Sequence, residues 1–140
     1  MSVKPKALVL DTWAIIAFYE DEPAGRRVSD VIADANEHGI PLWMSVVNAG
    51  EVWYVIARRT SGAEADATIS ELVSLGIRLD NAEWKSSRQA ALFKSKHAMS
   101  YANAFAAALA FQKNAHIVTG DQEFKQVEKD ISIVWLGRKR

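Results

Sequence analysis

The sequence contains no cysteine. A disulfide framework, a thiol nucleophile and a cysteine zinc site are therefore excluded. The same absence fits a reducing compartment, and a cytoplasmic location is expected. With only 3 prolines and 7 glycines there is no low-complexity stretch, and no repeat or linker is found. Neither sign of charge is in excess: 17 basic residues meet 17 acidic ones. A protein that coats a DNA duplex is basic overall, so any nucleic-acid contact here must be local. No apolar run is long enough to span a bilayer, and no membrane partner is expected. Met1-Ser2-Val3-Lys4-Pro5-Lys6 carries two lysines, but Asp11 cuts short the apolar run after them, so no signal peptide is expected. No nucleophilic-serine motif occurs. His38, His97 and His116 lack metal-ligand spacing, and each reads as a surface or strand residue.

What is present suits one globular domain. The chain has 140 residues, of which 49% are hydrophobic and 24% charged, enough for a single core. Residues 6–10 read as a short buried strand. Trp13, Ile16, Ala17 and Glu20 then keep a helical period. Glu20-Asp21-Glu22-Pro23 is a break, with Pro23 suited to the first turn of a helix running to about Asn36. His38-Gly39 ends that helix, and Ile40–Met44 is a second strand. Ser45 caps a helix to about Arg59, and Ser61-Gly62 separates it from one over 63–75, stopped by Gly76. Ile77–Leu79 is a strand, and Asp80 is expected to cap a helix over 82–97. Ser100 caps a helix to about Lys113, closed by Asn114. His116–Thr119 and Ile131–Trp135 are the last strands. Alternation of this kind predicts an α/β fold: a three-layer α/β/α sandwich with a mainly parallel sheet.

Acidic residues recur where strands give way to helices. In an open parallel sheet such places lie beside the ligand crevice, and acids gathered there suit a hard cation such as Mg²⁺ or Mn²⁺. Asp11 ends the run Ala7-Leu8-Val9-Leu10. It reads either as a helix N-cap or as a ligand, with Thr12 capping in its stead or bracing its carboxylate. Glu51 shares a helical face with Val47, Asn48, Tyr54 and Val55, so packing on the sheet is expected. A carboxylate there must be paired or bound to metal, and Arg58 is a candidate structural partner. Asn103 lies in the first turn of its helix, with Ala106, Ala107 and Ala110 on the same face. Tyr101, Phe105 and Leu109 are expected to fill the core. Asp121, after Thr119-Gly120, reads as a turn residue or a ligand. Glu123 is a substitute ligand or a solvated neighbour.

At these residues the chain resembles the PIN-domain nucleases, and within them the VapC-type toxins of toxin–antitoxin pairs. The matching stretches are Leu8-Val9-Leu10-Asp11-Thr12 with the break at Glu22-Pro23; Asn48-Ala49-Gly50-Glu51-Val52; Ser100-Tyr101-Ala102-Asn103-Ala104-Phe105-Ala106-Ala107-Ala108; and Ile117-Val118-Thr119-Gly120-Asp121-Gln122-Glu123-Phe124. They run in order through nearly the whole chain. The resemblance implies a PIN-like fold and gives Asp11, Glu51 and Asp121 the metal-binding, catalytic positions. Asn103 falls where the family has Asp, so activity is expected to be weakened or absent. The implied reaction is hydrolysis of an RNA phosphodiester with Mg²⁺ or Mn²⁺. The implied partners are RNA and a cognate antitoxin, and a homodimer is expected.

Two rival readings remain. One is a catalytically silent module that binds RNA or antitoxin without cleaving. The other is a phosphatase of the haloacid dehalogenase type with Asp11 as nucleophile, against which stands Trp13, where such enzymes carry a second Asp. Lys85, Arg88, Lys94, Lys96 and His97 on one helix, and Arg138-Lys139-Arg140, are candidate phosphate contacts, though a solvated face is the ordinary reading. Trp13, Trp43, Trp53, Trp84 and Trp135 are expected mostly in the core or at an interface.

Overall fold

The computed structural model describes residues 5–20 and 23–137. The expected break at Asp21-Glu22 and the basic tail Arg138-Lys139-Arg140 lie outside these residues. Five short strands, β1 (Leu8–Leu10), β2 (Leu42–Ser45), β3 (Ile77–Asp80), β4 (His116–Thr119) and β5 (Ile133–Trp135), form one sheet in the order β3-β2-β1-β4-β5. Every pairing is parallel, with Leu8 opposite both Leu42 and His116. Parallel strands need crossover connections, and helices supply them here. They are α1 (Thr12–Tyr19), α2 (Pro23–Glu37), α3 (Val46–Arg59), α4 (Gly62–Ser74), α5 (Trp84–Lys96) and α6 (Tyr101–Lys113), with a 3-10 helix at Gln122–Val127.

Strand residues alternate between two cores, as the pleat requires. Val9 and Ile117 face a cluster with Phe93, Phe105 and Leu109 from α5 and α6. Leu8, Leu10 and Val118 face a cluster with Ile15, Val28, Ile32 and Val52 from α1, α2 and α3. The result is the expected α/β/α sandwich, and the sheet is parallel throughout the described residues. Strand order reverses beside β1: β2 and β3 extend to one side, β4 and β5 to the other. The crossovers diverge there, leaving a crevice beyond the carboxyl ends of β1 and β4.

Ser45 and Ser100 cap α3 and α6 through their hydroxyls, and Asn114 closes α6 in the left-handed conformation at φ 52°. Three details differ from expectation. Asp80 does not cap α5; pairing with Ser45 holds it in β3, and the N-cap position falls to Glu83, whose side chain makes no capping bond. On α1 the buried residues are Ala14, Ile15 and Ala17, while Trp13 and Ile16 are half-buried. That helix is apolar nearly all round, so its period does not single out a face. Tyr101 is 45% exposed rather than in the core, resting edge-on against buried Phe105. None of the five tryptophans is fully buried. No helix is long and apolar enough to cross a membrane, among the described residues.

Candidate active site

Asp11 leaves β1 and caps α1. One carboxylate oxygen accepts from the Ala14 amide at 2.9 Å, and the other accepts from the Thr119 hydroxyl at 2.5 Å. Asp11 is wholly buried, and desolvation raises its pKa from 3.8 to about 7 against the lowering effect of those two bonds; the Asp121 charge pushes the same way as burial. Capping and site geometry are therefore one arrangement, and Thr12 is not the cap. Thr12 instead bonds Asn48, whose amide donates to the Thr12 hydroxyl at 3.1 Å and to the Ala102 carbonyl at 3.2 Å. Asn48 is fully buried and ties α3 to α1 and α6; its side-chain oxygen has no partner among the described residues.

Thr119 ends β4 and joins the two acids. Its hydroxyl donates to Asp11 and accepts from the Asp121 backbone N–H at 2.9 Å. Asp121 caps the 3-10 helix, one oxygen accepting from the Glu123 N–H at 3.0 Å. Its other oxygen accepts from the Asn103 amide at 3.0 Å, and the same amide donates to Glu123 Oε1 at 2.6 Å. Glu123 Oε1 also accepts from the Ser100 N–H at 3.0 Å. Asn103 is buried, and its own N–H is held by the Ser100 hydroxyl at 3.1 Å. Its NH₂ thus spans two carboxylates.

Glu51, on α3, is half-buried and faces the same crevice rather than packing on the sheet; α3 buries Asn48, Ala49 and Val52 instead. Among the described residues its one side-chain bond is a long one from the Tyr54 hydroxyl at 3.5 Å. Arg58 is not its partner but lies over the Tyr54 ring, 4.9 Å from the centroid. Thr12, Glu51, Ser100, Asn103, Asp121 and Glu123 line an open cleft of about 330 Å³, with Asp11 beneath its floor, behind Thr119. Trp13 forms a wall. Its ring lies on Gly120 so closely that a Cβ there would sit 2.3 Å away, which explains the glycine between Thr119 and Asp121.

The structure therefore brings Asp11, Asn103 and Asp121 into one hydrogen-bonded chain through Thr119, and sets Glu51 across the cleft from them. Thr119 and Asn48 lie within the family-matching stretches, but neither residue type points to a site role. Thr119 reads as an ordinary β-branched strand residue, and Asn48 as a neighbour of Glu51 one turn away. The donors suit a hard divalent cation, since Asp11, Glu51 and Asp121 offer oxygen alone. Their present spacing is looser. No three Asp, Glu or His side chains converge into a metal cluster among the described residues. Asn103 also faces its neighbours with NH₂, so a cation at that point needs the amide to turn.

A parallel sheet with carboxylates at its reversal point defines an α/β protein whose ligand crevice is acidic. A model of the PIN-domain family matches residues 8–130, and the chain belongs to that family. Its fold is similar to that of VapC20 from Mycobacterium tuberculosis, described as a sarcin-ricin-loop-cleaving toxin. The two are 17% identical with a TM-score of 0.72, over 86% of this chain and 95% of that one. VapBC2 from Rickettsia felis, solved bound to a DNA fragment from its promoter, is 13% identical with a TM-score of 0.71, over 93% of this chain and 98% of that one. FitAcB from Neisseria gonorrhoeae is 17% identical with a TM-score of 0.67, over 90% and 95%. At these identities the likeness is one of fold. No match was found among curated proteins.

Proposed function

We propose that the chain is a VapC-type toxin of a toxin–antitoxin pair: a single PIN-like domain whose cleft is built to hydrolyse RNA and is weakened by Asn103. The observation that carries this reading is the Asn103 amide, which bridges Asp121 and Glu123 inside the acidic cleft. Asp11, Glu51 and Asp121 are the side chains that would hold Mg²⁺ or Mn²⁺. A bound ion of that kind supplies Lewis acidity toward a phosphodiester and neutralises its charge. The chain's own residues do the positioning. Thr119 and the Ala14 amide fix both oxygens of Asp11. The Glu123 N–H fixes Asp121, and Ser100 fixes the first turn of α6. Glu51 stands free across the cleft, able to meet a ligand without breaking a strong bond. Asn103 gives one neutral oxygen where a charged one would hold a cation more tightly.

Trp13, which lines the cleft where phosphatases of that type carry a second Asp, weighs against the phosphatase reading. The silent-module reading stays as the second, favoured by the same amide bridge. The reading brings three partners with it: RNA, an antitoxin, and a second copy of the chain. Tyr19 on α1 and Val46, Trp53 and Tyr54 on α3 are exposed and supply apolar surface for such contacts. The deciding experiment compares RNA cleavage in Mg²⁺ and in Mn²⁺ for this chain and for Asn103→Asp. Gain of cleavage in the variant supports the toxin reading. Equal cleavage removes Asn103 from the site, and none in either chain with either ion favours the silent module.

A further inference from the structure

Trp84 is 74% exposed, the most exposed large hydrophobic residue described. It is the first residue of α5; Arg88, one turn on, shares its face, and Lys85 follows it in sequence, both exposed. Gln112 fastens this end of α5 to the last turn of α6. Its side-chain N–H donates to the Lys85 carbonyl at 3.3 Å, and its oxygen accepts from the Ser86 hydroxyl at 3.1 Å. The next residue, Lys113, places its ammonium 3.9 Å from the centroid of the Trp43 ring. Arg78, which pairs with Trp43 across β3 and β2, lies 5.6 Å from the same centroid. Two indoles and four cations are thus gathered on one side of the molecule.

These cations are not spent on ion pairs. The salt bridges among the described residues are His38–Asp34 and Arg59–Glu20, and none involves Arg78, Lys85, Arg88 or Lys113. Against these four cations stand exposed Glu83 and half-buried Asp80, so the face carries a net positive charge in a chain that has none overall. Cores of protein interfaces are depleted of lysine, and here two lysines flank the rings. An exposed indole beside cations suits an unpaired base stacked on the ring with its phosphates on the charges. A duplex offers no such free base face.

We propose that Trp84, Lys85 and Arg88, continued by Trp43, Arg78 and Lys113, form a docking face for single-stranded RNA outside the carboxylate cleft. Lys113 lies ten residues beyond Asn103 on α6, about 15 Å along the helix axis. Binding here needs neither Asn103 nor a metal ion, so it holds whether or not the cleft cuts.

The test uses the full chain in a chelator, titrated into a fluorescein-labelled oligouridylate of about 12 nucleotides, with anisotropy read across a salt series. Trp84→Ala should weaken binding roughly tenfold or more. The pair Lys85→Ala with Arg88→Ala should flatten the salt slope by about 1.4, the value for two lost phosphate contacts on a single strand. Arg26→Ala, an exposed cation on α2, should change neither. The proposal is overturned if the unaltered chain does not bind, or if both sets of variants keep its affinity and slope. It is also overturned if Trp84→Ala lowers the mass in light scattering, which assigns the face to a second copy of the chain. Because the chelator prevents metal-supported cleavage, failure here is separate from failure of the nuclease reading, which is judged by cleavage in Asn103→Asp.

Discussion

Carboxylates only accept hydrogen bonds, so the group between Asp121 and Glu123 must donate, and the Asn103 amide does. Asp in its place removes both donations and sets a third charge against two. Asn103→Asp should therefore melt lower than this chain in chelator, by about 1–3 kcal/mol, and Mg²⁺ should restore it. Calorimetry with and without the ion checks both parts. Cleavage should rise on the order of 10²-fold, equivalent to a few kcal/mol of barrier. Asp11 gives a second residue-scale prediction. Its folded pKa is raised from 3.8 to about 7 by burial, so the folded chain keeps a proton that the unfolded chain releases between those values. The stability contributed by protonated Asp11 is complete at and below the lower pH and is lost as pH rises toward 7. Asp11→Asn should lower stability at acid pH but show a shallower decline over that window, read as the difference in melting temperature between the two chains. An unchanged slope would remove the buried proton.

At the scale of elements, the caps are legible in the sequence and the contacts between elements are not. Ser45, Ser100 and Asn114 can be read from residue type and position, because a cap depends on its own few neighbours. Asp80 has the same look, and tertiary pairing with β2 overrides it. The 3-10 helix at Gln122–Val127 is too short to announce itself; its one clue is burial of Phe124 and Val127, three apart, the period of that helix. Gly120 is visible in the sequence only as part of a turn. Its reason is the Trp13 ring from a helix far away in sequence. Gly120→Ala should force that ring aside and destabilise the chain by about 1–3 kcal/mol, with a change in near-ultraviolet circular dichroism from Trp13. A variant that melts at the same temperature with an unaltered spectrum would mean the wall yields without cost.

For the whole molecule, alternation of strand and helix announces a parallel sheet, and the four family stretches announce the PIN class. Strand order comes from neither. It places the reversal between β1 and β4, and so decides which loops share the crevice. Asp11 and Asp121 meet for that reason, while their spacing in sequence says nothing about it. Exposed Tyr19, Val46, Trp53 and Tyr54 lead to an expected homodimer, checked by light scattering at high concentration. A monodisperse monomer would count against it, and Trp53→Ala with Tyr54→Ala should shift the balance toward monomer if these residues form the contact.

The bond from Thr119 to Asp11 spans 108 residues, and that span sets how late in synthesis the site can assemble. β1 leaves the ribosome well before β4, and its second edge is covered only when β4 arrives. Until then Asp11 lacks its hydroxyl partner, and neither Asn103 nor Asp121 has a cleft to enter. A nascent or prematurely ended chain is therefore chemically inert at this site. Synthesis of the residues between β1 and β4 must therefore be complete before the cleft exists.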